Sequence, residues 1–286
     1  MRSDEAEVFA EESLANLARE VLRVYPSVRK DLEETFHWKV DFRPKIFLVK
    51  DRETFRKITG SDLILAFAVA DRNLIAFDTS RILTRPFTLE TTLKHELCHL
   101  ILHRHIEKVR LPRWLDEGVC QWSTGGIAEI MMEDGDRYLT KATISDRLIE
   151  MRALERFPMD EHSLILAYEE SRSFMEYIVG EYGSSRLLMV LADMKEGHPV
   201  DEAVQKNLSH SLFEVENHWK AHLKRKHTWF LYVSNNLYAI LFFLAALVTV
   251  YGFFRLMKKK RDYKDEEEDV QPTTNAKKHR EKTEAQ

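Results

Sequence analysis

His95-Glu96-Leu97-Cys98-His99, followed after a short gap by Trp114-Leu115-Asp116-Glu117-Gly118, decides how the rest of this chain is read. Placed on a helix, His95 and His99 lie one turn apart on one face, where two imidazoles can hold one metal ion. Glu96 lies beside them, where a carboxylate can take a proton from a metal-bound water. Glu117, on a second helix, can supply a third ligand and leave the fourth position open. That is the ligand set of a catalytic zinc site rather than a closed structural one. Asp116 is the rival third ligand, but its register differs from that of Glu117 by about 100° around a helix. Glu117 is therefore the expected ligand, and replacing Asp116 is expected to spare the metal.

The stretches Leu93–Leu100 and Leu111–Trp122 resemble the gluzincin peptidases of the MA-like superfamily, and in particular the bacterial peptidase MA-like domain. The resemblance implies zinc ligation by His95, His99 and Glu117, with Glu96 as general base. Cys120 and Trp122 stand where such domains usually carry Ala and Tyr. In thermolysin-like relatives an Asp four residues after the third ligand orients the first histidine; here that position is Gln121. The motif core covers about 30 residues; a looser likeness in pattern extends over residues 5–225.

Composition bounds the alternatives. A chain of 286 residues, 44% hydrophobic, holds one sizeable domain or two small ones. The net charge of −4 removes any global electrostatic case for a nucleic-acid partner. The two cysteines, Cys98 and Cys120, both fall inside the motif region. Buried free thiols are the expectation, with a disulfide or a thiolate ligand as alternatives.

Leu237–Phe254 is nearly continuous apolar sequence between aromatic residues and basic clusters, Lys224–Lys226 before and Lys258–Arg261 after. It reads as a single transmembrane helix over residues 229–256, with the lipid bilayer as partner. The richer basic flank follows the helix, which favours an extracytoplasmic peptidase domain and a cytoplasmic tail. Against that, Met1–Glu5 lacks an apolar signal-peptide core.

The expected fold is α+β: a small twisted sheet (about 40–80), active-site helices (about 88–123), a helical subdomain (about 140–225), the membrane helix, and a charged disordered tail over 257–286. In detail, residues 5–37 read as helix, 44–49 as a strand, 51–59 as a helix stopped by Gly60, and 63–70 and 74–77 as strands. Thr88 caps the motif helix, Pro112 opens the next, and residues 142–156 and 161–224 read as further helices. Leu74–Phe77 is the candidate cleft edge, so Ile75 and Ala76 become candidate substrate-binding residues. Tyr168 is a candidate oxyanion donor, set against an ordinary packing role. His103 and His105 read as solvated helix-end residues, and Gly118 as a point of close helix approach.

The function expected from this reading is a membrane-anchored, zinc-dependent hydrolysis of peptide or protein substrates. The alternatives are a catalytically idle, membrane-tethered binding module of the same fold, or a zinc hydrolase acting on an amide outside peptides.

Overall fold

Residues Ala18, Val21, Val24, Tyr25, Val28, Leu32 and Phe36 recur at helical spacing, and helix α1 (Ala15–Phe36) buries that whole stripe. The computed structural model describes residues 1–81, 88–125, 137–235 and 237–268. Before α1 comes strand β1 (Glu7–Ala10). After it the chain runs through β2 (Lys45–Val49), α2 (Arg52–Thr59), β3 (Ala66–Val69) and β4 (Leu74–Asp78). These strands form one sheet in the order β1-β2-β4-β3. Its first three members are parallel, and β3 runs antiparallel to β4, pairing Ala66 with Phe77 and Val69 with Leu74. Local chemistry explains the short elements. Asp51 accepts from Thr54 N–H at 2.8 Å to start α2, and Gly60 ends it at φ 72°.

The helical part comprises α3 (Leu89–His105), α4 (Arg113–Ser123), α5 (Arg137–Ile144), α6 (Glu161–Tyr182), α7 (Ser184–Glu196), α8 (Val200–Leu208), α9 (Leu212–Asn235) and α10 (Leu237–Glu268). The chain divides into two units, Met1–His227 and Thr228–Gln286. In the first unit α3 is the central element. Its N-terminus is set by reciprocal bonds between Thr88 and Thr91, so the helix starts at a defined residue. Every residue from Leu97 to Leu102 is buried, because α3 packs on α1, α4 and β3 at once. Trp114 of α4, Phe174 of α6 and Trp219 of α9 stack edge to face at 5.4 and 5.3 Å and pin these helices together.

Two features of α6 carry predictions. A Cβ built on Gly118 of α4 would lie 2.6 Å from the Ser171 carbonyl oxygen of α6, so the two backbones meet where only glycine fits. Gly118→Ala is expected to cost about 1–3 kcal/mol of stability by forcing α4 and α6 apart. An unchanged denaturation midpoint would contradict that contact. Glu169 and Glu170 are buried side by side and accept backbone N–H groups of Leu139 (2.6 Å) and Ile149 (3.0 Å), tying the α5 segment to α6. Burial pushes the Glu170 carboxyl up to about 8, against the lowering effect of the Ile149 bond. The folded chain therefore holds this proton more tightly than the unfolded chain. Its stabilising effect is complete below about pH 4 and is lost as pH rises toward 8. Glu170→Gln is thus expected to match the parent in unfolding free energy near pH 4 and to exceed it increasingly up to pH 8, by on the order of a few kcal/mol. A pH-independent difference would contradict the burial of an ionisable group here.

Several expectations are corrected. Residues 5–37 are not one helix: the segment opens with β1, which pairs with β2. Too short a run precedes Ala15 for periodicity to separate strand from helix. Residues 142–156 form only the end of α5 and a single short turn at Ala153–Glu155. Leu74–Phe77 lies in β4, an interior strand flanked by β2 and β3, so the sheet edge on this side is β3.

The transmembrane helix expected over 229–256 is not found: among the described residues, no helix is long and apolar enough to cross a membrane. The apolar run Leu237–Phe254 fills only the first part of α10, which continues through Arg255, Lys258–Arg261 and further charged residues to Glu268. With it goes the ground for a single-pass topology, for the extracytoplasmic placement of the peptidase domain, and for the bilayer as a partner. Of the expected disordered tail, residues up to Glu268 continue α10, and 269–286 lie outside the described residues.

Candidate metal centre

The spacing of His95 and His99 on α3 brings both imidazoles to the face turned toward α4, which carries Glu117. His95 Nε2 and His99 Nε2 stand 3.1 Å apart. Glu117 Oε2 lies 3.5 Å from the first and 3.7 Å from the second. A triangle with these sides has a circumradius of about 2.0 Å. One point is therefore about 2.0 Å from all three donor atoms, which matches the ligand distances of zinc, about 2.0–2.2 Å. All three residues are buried, and together they form a group that could hold a metal ion. A second such group is His99, Asp116 and Cys120. Its sulfur, however, is committed, because Cys98 and Cys120 form a disulfide joining α3 to α4, with Cα atoms 5.5 Å apart.

The surroundings orient this trio. Asp116 is buried and bridges two imidazoles, His99 Nδ1 at 2.7 Å and His103 Nε2 at 3.0 Å. With Nδ1–H donating to Asp116, the lone pair of His99 is left on Nε2, where the other donors converge. Glu117 is held by its other oxygen: Oε1 makes a 2.5 Å ion pair with the Arg113 guanidinium one turn earlier on α4. Among the described residues, His95 Nδ1 has no hydrogen-bond partner. Gln121, which stands at the position of the expected orienting Asp, instead donates to the Tyr168 carbonyl at 3.4 Å and ties α4 to α6.

The electrostatics favour a cation. Burial opposes the ionisation of Glu117, but Arg113 and the two imidazoles outweigh it and lower its pKa. Burial likewise pushes Asp116 up, and His99 and His103 hold it well below the usual carboxylate range. Burial alone would pull the His99 imidazole down, yet Asp116 and Glu117 hold it up at about 10. Two ionised carboxylates around two facing Nε2 atoms make a charge pattern that a divalent ion satisfies.

Glu96 is buried on α3 beside the trio and adds to the negative field on His99. Tyr168 is buried on α6, with its hydroxyl 3.5 Å from Arg113. Ile75 and Ala76 are buried in β4. The cleft of about 510 Å³ that reaches His99 and Asp116 is bordered instead by Phe67, Ala68 and Val69 of β3. The sequence motifs alone assign no positioning role to Asp116, His103 or Arg113. The signal for the first two was present: His99 and His103 are four apart, so both face the same carboxylate. Asp116→Ala is now expected to weaken zinc binding about 10–100-fold, and Asp116→Asn, which can still accept from Nδ1–H, to weaken it less. Equal affinity in all three proteins would show that the contact does not orient the ligand.

No curated protein matches the chain. The sequence profile of the Peptidase MA superfamily matches residues 68–225, a segment running from the edge strand β3 through both metal-site helices to α9. With that match covering more than half of its 286 residues, the chain belongs to the Peptidase MA superfamily.

Proposed function

We propose that this chain is a zinc-dependent metallopeptidase of the gluzincin type, with His95, His99 and Glu117 as ligands and Glu96 as general base. The observation that carries this reading is the convergence of three buried donor atoms on one point about 2.0 Å from each, with Glu96 on the same helix. A zinc ion held there supplies Lewis acidity toward a scissile carbonyl and brings the pKa of water down to about 7. The protein's own residues do the rest. Glu96 takes the proton from the attacking water and returns it to the leaving nitrogen as the C–N bond breaks, giving a carboxylic acid and an amine. Asp116 keeps His99 in the ligating tautomer, and Arg113 fixes which Glu117 oxygen faces the ion. The β3 edge offers backbone groups to an extended peptide, which would add to the sheet as a further strand beside the cleft. Purified protein is expected to hold about one zinc per chain, and chelation to abolish peptide hydrolysis. Hydrolysis that persists after complete zinc removal would overturn the proposal.

A further inference from the structure

Three histidines gather on α9 and in the turn before it, outside the centre built by α3 and α4. Helix α9 packs through Val215, Trp219 and Leu223, buried at four-residue spacing. The positions just before each of these, Glu214, His218 and His222, are carried outward and are exposed. His218 and His222 stand one turn apart on one face, the spacing at which two imidazoles can hold one metal ion. His210, half-buried in the turn between α8 and α9, sets its ring 5.2 Å from that of His218, at 75°. The rings of His95 and His99 have nearly the same placement, 4.8 Å and 82°.

The neighbours of these rings suit a cation. His210 Nδ1 lies 3.0 Å from the Leu208 carbonyl oxygen, which can only accept, so Nδ1 carries the hydrogen and the lone pair is left on Nε2. Tyr182 of α6 backs His210 with ring centres 6.2 Å apart, and Tyr177 backs His222 at 5.4 Å. Ser211 donates its backbone N–H at 2.7 Å and its hydroxyl at 2.9 Å to Glu214. These bonds hold the Glu214 carboxyl below its usual range, so a full negative charge acts on His210 and His218. Glu181 adds a second negative charge beside the two tyrosines, and Arg225 near Tyr177 opposes it. The closed three-donor groups among the described residues are those at α3 and α4. The α9 cluster is an open one: His210 and His218 already face each other, and exposed His222 joins them by turning away from Tyr177.

We propose that His210, His218 and His222 form a second metal site, on the surface, that takes a divalent transition ion such as zinc, nickel or copper and passes over magnesium. Imidazole nitrogen selects the transition metals, whereas magnesium takes oxygen ligands. The site does not depend on the peptidase reading. It binds more weakly than the buried trio, because exposed side chains must be ordered as the ion enters. The first equivalent of zinc therefore fills the trio and the next one fills this site. Full-length protein loaded with one equivalent of zinc is titrated calorimetrically with zinc chloride, and separately with magnesium chloride. One further equivalent of zinc is expected to bind, and no magnesium. His218→Ala is expected to weaken that equivalent about ten-fold or more, since it removes a ligand rather than a group that orients one. His222→Ala is expected to weaken it by less. His198→Ala, which removes a histidine paired with Glu202 on α8, is expected to leave it unchanged. Should the trio hold no zinc, the surface equivalent is still lost with His218, so the two readings fail separately. No further equivalent, wild-type affinity in His218→Ala or in His222→Ala, an equal loss in His198→Ala, or magnesium binding as tightly as zinc would overturn the site.

Discussion

Glu117→Ala is expected to strip the chain of most of its zinc. Glu117 supplies one of three converging donors and is fully buried, so no other carboxylate can slide into its place without moving a helix. The substitution also leaves the Arg113 guanidinium facing the two imidazoles in place of a carboxylate, which repels a cation. The loss in affinity should exceed the roughly 10–100-fold cost of removing a group that merely orients a ligand, such as Asp116. Zinc per chain after dialysis, with a competing chelator to rank affinities, reads both variants together. Wild-type zinc in Glu117→Ala would sink the ligand assignment. A greater loss in Asp116→Ala than in Glu117→Ala would exchange the two roles.

The second large effect is catalytic. Glu96→Gln keeps the size of the side chain and its hydrogen-bonding capacity but cannot take a proton. Hydrolysis is expected to fall about 10²-fold or more, with zinc content and melting temperature unchanged, because Glu96 contributes no donor to the trio. Peptide hydrolysis that the substitution leaves untouched would refute the general-base role. Zinc-loaded wild type that cleaves nothing, however broad the library, would favour the idle binding module.

The grouping of His95, His99 and Glu117 was legible in the sequence because its geometry is local. Four residues along a helix fix the relation of His95 to His99, and one further helix suffices to deliver Glu117. What surrounds the trio depends on contacts between elements. Asp116 looked like a failed ligand because only the packing of α3 on α4 shows that it faces His99 and His103. The cleft edge was misplaced for a related reason. β3 and β4 have similar apolar sequences, and nothing within either strand says that β4 inserts beside β2 and leaves β3 outermost. Cys98 and Cys120 are 22 residues apart, and only the approach of the two motif helices turns two buried thiols into a disulfide. The apolar run after Leu237 has a membrane-like composition, but it occupies only part of α10, which continues through charged residues to Glu268. Capped elements fared better: Thr88 and Asp51 begin their helices where their side chains meet the backbone.

The most direct test of the metal centre is anomalous diffraction at the zinc edge, from crystals of the chain grown with one equivalent of zinc. A single strong peak is expected about 2.0–2.2 Å from His95 Nε2, His99 Nε2 and Glu117 Oε2. A peak held by any other set of residues, or active crystals with no peak at this trio, would contradict it.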